Sequence, residues 1–212
     1  MHVSEPAYWS ERYRSGQTGW DLGAETPVFQ ALLHQGGFPV HPHPEQEPPT
    51  VIVPGCGYGH DAILLARAGY RVIAVDFAPE PLHVLRQRAA AEKLPVEVLC
   101  EDLFRLPERL TEPADMVLEY TCYCAIDPQR RPEYFRVLCR LLRPGGWLVG
   151  LFFPLSTEPP VSGPPFPVQE AEVVALATQA GLRLQSRQLP LTSHPARLGR
   201  EVLLMFQKAE CD

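Results

Sequence analysis

The stretch Thr50–Asp76 limits the possible architectures more than any other part of the chain. It opens with the apolar run Val51-Ile52-Val53, passes through the loop Pro54-Gly55-Cys56-Gly57-Tyr58-Gly59 and a helix-compatible segment, and closes with Arg71-Val72-Ile73-Ala74-Val75 and Asp76. Strand, glycine turn, helix and second strand, in that order, make a half-unit of a nucleotide-binding α/β sheet. Glycine allows a tight turn and lets the backbone approach a ligand that a Cβ would hold away. An acid about 20 residues past the first glycine sits at the second strand's tip, where ribose hydroxyls are bound.

The rest of the chain extends this unit. A helix is predicted over residues 4–14, with Ser4 as N-cap and Pro6 in the first turn. The loop Gly16–Gly23 carries Trp20 and leads into a helix from about Thr26 to His34. Trp9 and Trp20 either plug the core or cover a ligand; residue type alone leaves both open. Gly36–Pro49 is too rich in proline for regular structure, and its His41 and His43 lack further ligands at metal-binding spacing. Helices are predicted at 61–68, 79–92, 132–142 and 168–180. Strands are predicted at Val96–Cys100, Met116–Tyr120 and Trp147–Phe153, the last fully apolar as suits a strand covered on both faces. Two further strands, at about 182–190 and 200–207, make an antiparallel pair at one edge. The Pro/Gly-rich segment 156–167 is longer than a simple connection needs and reads as a lid or binding loop.

Alternation of strand and helix predicts a doubly wound, mostly parallel α/β sheet with helices on both faces. The expected organisation is one domain over 1–212, with covering helices in 1–35, a Pro-rich connector in 36–49 and the sheet core in 50–212. The carboxyl ends of the strands then gather Gly55–Gly59, Asp76, Asp102 and Glu119-Tyr120 along one rim, where ligands bind in open α/β sheets.

Composition narrows the partners. A formal net charge of −6 and a pI near 5.7 argue against a nucleic-acid backbone, which needs a basic face. There is no apolar run of membrane-spanning length, and residues 1–30 are too polar for a signal peptide, so the expectation is a soluble cytoplasmic protein with a small-molecule substrate, no membrane and no obligatory protein partner. The six cysteines form no CxxC framework and are expected to be reduced packing residues; no metal site is expected. If residues 122–124 were extended, Cys122 and Cys124 would share a face.

The glycine turn alone does not choose a cofactor, because dinucleotide enzymes share it. Here His60 occupies the position where the dinucleotide fingerprint wants a small residue. The Gly-Cys-Gly-Tyr-Gly loop, with one acid at the second strand's tip and another just after the third, is instead the arrangement used for S-adenosylmethionine.

With these motifs the chain resembles class I S-adenosylmethionine-dependent methyltransferases of the thiopurine methyltransferase family, nearest to the thiol and halide methyltransferase branch. The resemblance rests on Trp9 to Tyr13, Thr18-Gly-Trp-Asp-Leu-Gly23, Val53 to Asp61, Val75-Asp76, Asp102-Leu-Phe104, Glu119-Tyr-Thr121 with Cys124-Ala-Ile126, Leu142-Arg-Pro-Gly-Gly146 and Gly163-Pro-Pro-Phe166. It implies a Rossmann-like sheet of seven strands. It also implies cofactor contacts at Trp9, Trp20, Gly55, Cys56, Gly57, Gly59, Asp76, Phe77, Asp102, Leu103, Glu119 and Tyr120. Asp76 is then expected at the ribose, Asp102 by the adenine and the Gly55–Gly59 backbone at the methionine moiety. Trp9, Tyr13, Tyr120 and the loop 160–166 are expected to enclose the nucleophile, with a hydroxyl from Tyr13 or Tyr120. Arg197, in the segment Arg197-Leu-Gly-Arg200-Glu201, either attracts an anion or ends a solvated hairpin. Animal thiopurine enzymes carry an arginine where this chain has Tyr120, which favours a thiol, hydrosulfide, thiocyanate or halide acceptor, with a thiopurine as the alternative. S-adenosylhomocysteine is the expected product.

Overall fold

The computed structural model describes residues 2–157 and 163–210. In chain order the elements are α1 (Pro6–Arg14), α2 (Pro27–Gln35), β1 (Thr50–Pro54), α3 (His60–Arg67), β2 (Arg71–Asp76), α4 (Pro79–Glu92), β3 (Val96–Cys100), α5 (Leu106–Arg109), β4 (Ala114–Tyr120), α6 (Arg131–Leu141), β5 (Leu142–Phe152), α7 (Glu170–Gln179), β6 (Leu182–Gln188) and β7 (Val202–Lys208). The strands form one seven-stranded sheet in the order β3-β2-β1-β4-β5-β7-β6. Strands β1 to β5 pair in parallel, and β7 joins antiparallel between β5 and β6. The largely parallel sheet with an antiparallel edge pair agrees with the expectation from sequence.

The pleat sorts apolar side chains into two layers. From β1, Ile52 faces the cluster that includes Tyr134, Phe135 and Leu138 of α6 and Val173 of α7; Val51 and Val53 face Phe29 of α2, Ile63 of α3 and Leu82 of α4. From β4, Val117 joins the first layer, whereas Met116 and Leu118 join the second. Both faces of the central strands are therefore covered, which is why β1 reads as an unbroken apolar run. A third, smaller cluster brings Trp9 and Tyr13 of α1 against Ala78, with Trp20, Tyr58 and Phe77 packed around it.

Strand β1 lies between β2 and β4: the chain runs from β1 outward through β2 to β3 and then returns to the other side of β1 as β4, so the strand order reverses there. Such a switch point opens a crevice at the carboxyl ends of the strands. The tips bordering it are Pro54 of β1, Asp76 of β2 and Tyr120 of β4.

Several boundaries differ from expectation for local reasons. Helix α1 begins at Pro6 behind Glu5, without a side-chain cap, so Ser4 lies outside it. Strand β5 begins at Leu142 rather than Trp147: Ala114 pairs with Leu142 and Met116 with Trp147, and the extra residues of Arg143-Pro-Gly-Gly146 bulge out of the ladder. Residues Tyr123–Ala125 form a 3₁₀ turn, so Cys122 and Cys124 do not share a strand face. Cys100 is exposed rather than buried. Of the expected enclosing loop, Pro160, Val161 and Ser162 lie outside the described residues, as does Cys211. Among the described residues no helix is long and apolar enough to cross a membrane.

Candidate active site

The glycine loop is built as much by packing as by turning. Gly55 and Gly59 have φ of +58° and +72°, a region that L side chains rarely adopt. A Cβ on Gly55 would stand 2.9 Å from Cys122 Sγ, and one on Gly59 2.4 Å from Leu85 Cδ1. Gly59 starts α3 and lets α4 pack close, with Leu85 of α4 where a side chain would stand. Gly57 is tied to the tip of β2, its N–H donating to Asp76 Oδ2 at 3.0 Å while the N–H of Ala78 donates to Oδ1 at 2.9 Å. Asp76 thus fixes the loop and the entry to α4 with one carboxylate. Burial pushes its carboxyl up to about 6, against the downward pull of the backbone donors.

Above these tips lies a cavity of about 560 Å³. One side carries Asp76, Phe77, Asp102, Leu103 and Phe104. Asp102 Oδ1 accepts from the N–H of Phe104 at 3.0 Å, which sets the turn after β3, and the Arg130 guanidinium lies 3.4 Å from the Phe104 ring centroid. The cover is aromatic: Trp9 and Trp20 meet edge to face at 5.3 Å, Tyr13 and Trp20 at 5.4 Å, and Tyr13 and Tyr58 at 5.5 Å. Trp9 Nε1 donates to the carbonyl of Val3 at 2.7 Å. Burial first, then the Asp76 charge, raises the Tyr13 hydroxyl far above the usual tyrosine value, so it is a neutral donor. Trp9 and Trp20 are therefore walls of the cavity, not plugs of the main core.

The far end of the cavity is formed by Cys124, Phe153, Pro164, Pro165, Arg197 and Arg200. Arg200 is exposed, with its guanidinium 5.2 Å from the Phe153 ring centroid. Arg197 is buried, so the solvated-hairpin alternative does not hold. Its Nη2 donates to the carbonyl of Trp20 at 2.6 Å and its Nη1 to the Tyr120 hydroxyl, tying the late loop to the cover and to β4. Behind the glycine loop is a recess of about 70 Å³ that includes Cys56, Gly57 and Tyr120. Gly55, Trp20, Leu22 and Thr121 line both spaces. Thr121 has φ of +60°, an uncommon conformation for a β-branched residue and one that marks the turn after β4 as held under strain.

One expected cofactor contact is not at the cavity. Glu119 was expected at the cofactor, but on β4 it points with Val117 toward α6, opposite to Tyr120. It is 1 % exposed, its Oε1 accepts from the Tyr123 N–H at 2.9 Å and its Oε2 accepts from the Tyr134 hydroxyl. Burial pushes it up to about 7. Its carboxylate supports the turn that carries Thr121 to Cys124. The Tyr120 hydroxyl, one of the two expected at the nucleophile, donates to Glu201 Oε1 at 2.6 Å and accepts from Arg197. The thiols at the site are protonated: burial first, then the Glu119 charge, raises Cys122 well above the usual thiol value and lifts Cys124 to about 12. Among the described residues no cluster of His, Cys, Asp and Glu fits a metal ion.

The volume and the lining of the cavity suit an adenosine. A carboxylate at a strand tip can accept two ribose hydroxyls, aromatic and aliphatic side chains beside Asp102 can flank a base, and the volume lies within the range of small-molecule sites. The recess behind Gly55 continues this space along the glycine loop.

A profile of the family described as thiopurine S-methyltransferase matches residues 4–194. The chain belongs to the thiopurine S-methyltransferase family. It is a methyltransferase, and its cofactor is S-adenosylmethionine. It is 32% identical over 176 residues to a probable thiol methyltransferase 2 of Arabidopsis thaliana, covering 81% of this chain and 72% of that protein. It is 27% identical over 206 residues to thiocyanate methyltransferase 1 of the same plant, covering 96% and 86%. With the thiopurine S-methyltransferase of Xanthomonas campestris pv. campestris strain 8004 it shares 28% over 184 residues, covering 80% of each. Among solved structures, a protein from the study of the conversion of a disulfide bond into a thioacetal group during echinomycin biosynthesis aligns with a TM-score of 0.75 and 22% identity, over 100% of this chain and 95% of that one. A 1,6-didemethyltoxoflavin-N1-methyltransferase of Burkholderia thailandensis with bound S-adenosylhomocysteine aligns with a TM-score of 0.74 and 20% identity, over 98% and 88%. These two likenesses concern the fold of the methyltransferase.

Phe153 and Arg131 were not singled out from sequence, and Thr121, Arg200 and Glu201 were named there only as members of longer motifs. Phe153, Thr121 and Arg200 reach the site from the ends of β5, β4 and the late loop. Glu201 reaches it through Tyr120. Arg131 is fully buried; it holds the Pro167 carbonyl at 3.0 Å and Glu172 at 2.8 Å, fixing the segment behind Pro164 and Pro165. The only sequence signal for Arg131 is an arginine in the first turn of a helix whose other inward positions are apolar.

Proposed function

We propose that this methyltransferase transfers a methyl group from S-adenosylmethionine to a small sulfur nucleophile, a thiol, hydrosulfide or thiocyanate, with halides as acceptors of the same soft, anionic kind. The observation that carries the proposal is the far end of the cavity, where the guanidiniums of Arg197 and Arg200 stand among Phe153, Cys124, Pro164 and Pro165. Such a wall strips water from a small soft anion while balancing its charge. The cofactor supplies an electrophilic methyl on a sulfonium, and a thiolate or thiocyanate needs no strong base to accept it.

In this reading Asp76 binds the ribose hydroxyls, and Phe77, Asp102 and Leu103 flank the adenine. The backbone of Gly55, Cys56 and Gly57 faces the methionine moiety. Trp9, Tyr13 and Trp20 cover the cofactor and exclude water, and Arg197 holds the cover shut through the Trp20 carbonyl. Alignment of the acceptor at near-attack distance contributes much of the acceleration, up to ~7–11 kcal/mol in well-oriented systems. The whole chain then acts as one catalytic unit, with 1–35 as cover and 36–49 as connector. Its free thiols suit a reducing compartment, and we place it in the cytoplasm, acting without an obligatory protein partner.

A second reading, thiopurine methylation, is favoured by the cavity volume and by the flat walls of Phe153 and Pro165, which suit a planar acceptor. The test is turnover: protein and S-adenosylmethionine are incubated separately with hydrosulfide, thiocyanate, iodide, a small thiol and a thiopurine, and S-adenosylhomocysteine is measured. Turnover with the first four above the thiopurine supports the proposal. Turnover with the thiopurine alone would replace it, and turnover with none of the five would remove it.

A further inference from the structure

Three ionisable side chains, Tyr120 of β4 and Arg197 and Glu201 of the late loop, meet at the boundary between cavity and recess. The Tyr120 hydroxyl donates to Glu201 Oε1 at 2.6 Å and accepts from Arg197 Nη1. Tyr120 lines the recess and Arg197 lines the cavity, so this bond spans the boundary between them. Glu201 is 2 % exposed, and its Oε2 is buried with no hydrogen-bond partner among the described residues. An acceptor buried and unpaired costs free energy, so a fold that retains one calls for an explanation.

Acceptor chemistry offers one. Thiocyanate and halides arrive as anions, whereas an alkyl thiol arrives with a proton that must leave its sulfur. We propose that Glu201, acting through the Tyr120 hydroxyl, removes the proton of a protonated sulfur acceptor, and that Arg197 positions Tyr120 for this relay. The proposal rests on the sulfur-methylating reading above. The S–H bond breaks and its electron pair stays on sulfur. The proton passes to the Tyr120 oxygen while Tyr120's own proton passes to Glu201, leaving a neutral tyrosine and a protonated glutamic acid. No phenolate forms, as is required where burial, and then the Glu201 charge, raise the Tyr120 hydroxyl above its ordinary value. Arg197, which has only donors, cannot take the proton itself.

The other ionisable groups nearby are otherwise committed. Asp21 and His60 pair at 3.1 Å across the recess mouth, and Asp61 accepts from the Thr26 N–H and hydroxyl at 2.8 and 2.7 Å. Burial keeps the Cys56 thiol protonated. The Arg200 guanidinium rests over Phe153. Tyr58 lines the recess but its ring packs against Tyr13.

The experiment compares kcat/KM for an alkyl thiol and for thiocyanate in the native protein, Glu201→Gln and Tyr120→Phe. At pH 7 each variant should lower the thiol-to-thiocyanate ratio on the order of 100-fold, the usual scale of a positioned proton acceptor. The thiol rate of each variant should then rise with pH in step with free thiolate. A second readout does not use turnover: an aryl thiol bound beside S-adenosylhomocysteine should show the thiolate absorption band in the native protein below the thiol's own pKa, and lose it in both variants. An unchanged ratio, or a thiolate band equal in all three proteins, overturns the relay. Failure of the native protein to methylate either acceptor sinks the sulfur reading instead, and the absorption measurement still decides whether the relay exists. If Glu201→Gln does not fold, Tyr120→Phe carries the same test.

Discussion

Replacing Asp76 by Asn probes the cofactor site at its most constrained point. The carboxylate receives two backbone N–H groups, from Gly57 at 3.0 Å and Ala78 at 2.9 Å, and in the proposed complex accepts ribose hydroxyls with its remaining lone pairs. A hydrogen bond to a charged group contributes about 1.5–3 kcal/mol, so Asp76→Asn should weaken S-adenosylhomocysteine binding by roughly 10- to 150-fold at pH 8. The ionised form is the one that binds, and its carboxyl is raised to about 6, so native affinity should fall as pH drops through 6. Titration calorimetry at pH 8 and pH 5 should show a wide gap between native and variant that closes at the lower pH. Stability serves as the control. Because the folded carboxyl is raised from 3.8 to about 6, its ionisation costs the fold stability as pH rises through that window, so Asn relieves one cost while leaving one backbone N–H unpaired. Equal affinities at pH 8, with both proteins folded, would refute the placement of the ribose on Asp76.

The remaining predictions concern the supports of the site. Glu119 is raised from 4.5 to about 7 by burial, so its contribution is fully present below 4.5 and is lost as pH rises through about 7; the stability deficit of Glu119→Gln in urea unfolding should therefore be largest at about pH 4 and shrink by pH 8. A deficit that grows with pH contradicts this. Thr121→Asn, which suits positive φ better, should raise the unfolding free energy by ~1 kcal/mol while lowering turnover; a loss of stability would show that the backbone there is not strained. Arg131→Ala should cost about 3–5 kcal/mol, since it leaves the partly buried Glu172 without its cation and the Pro167 carbonyl without a donor; a loss under 1 kcal/mol in thermal or urea unfolding refutes a structural role.

Much of the fold was legible because it depends on local patterns. The apolar runs at Val51–Val53 and Val72–Val75, the glycine turn between them and the alternation of strands and helices specify a parallel sheet whatever the distant contacts. The tips of β1 and β2 followed, and Asp76, Asp102, Trp9 and Trp20 do line the cavity. What was not legible depends on tertiary placement. Glu119 and Tyr120 are neighbours in sequence, and the pleat sends them to opposite faces of β4, so their relation to the cavity hinges on a register that only strand pairing fixes. Arg197 meets the Trp20 carbonyl across 177 positions of sequence and Tyr120 across 77, contacts that leave no local signature. The bulge over Arg143–Gly146 arises from the pairing of β4 with β5, where a Pro-Gly-Gly segment read alone suggests only a turn.

The proposed function stands on transfer of the methyl group to sulfur rather than to nitrogen. The most direct test uses S-adenosylmethionine carrying a trideuterated methyl group and an acceptor with both a thiol and an amine, with mass-spectrometric location of the label. The label should appear on sulfur alone, with one S-adenosylhomocysteine formed per thioether. Label on nitrogen, or no transfer to this acceptor, thiocyanate or iodide, would contradict it.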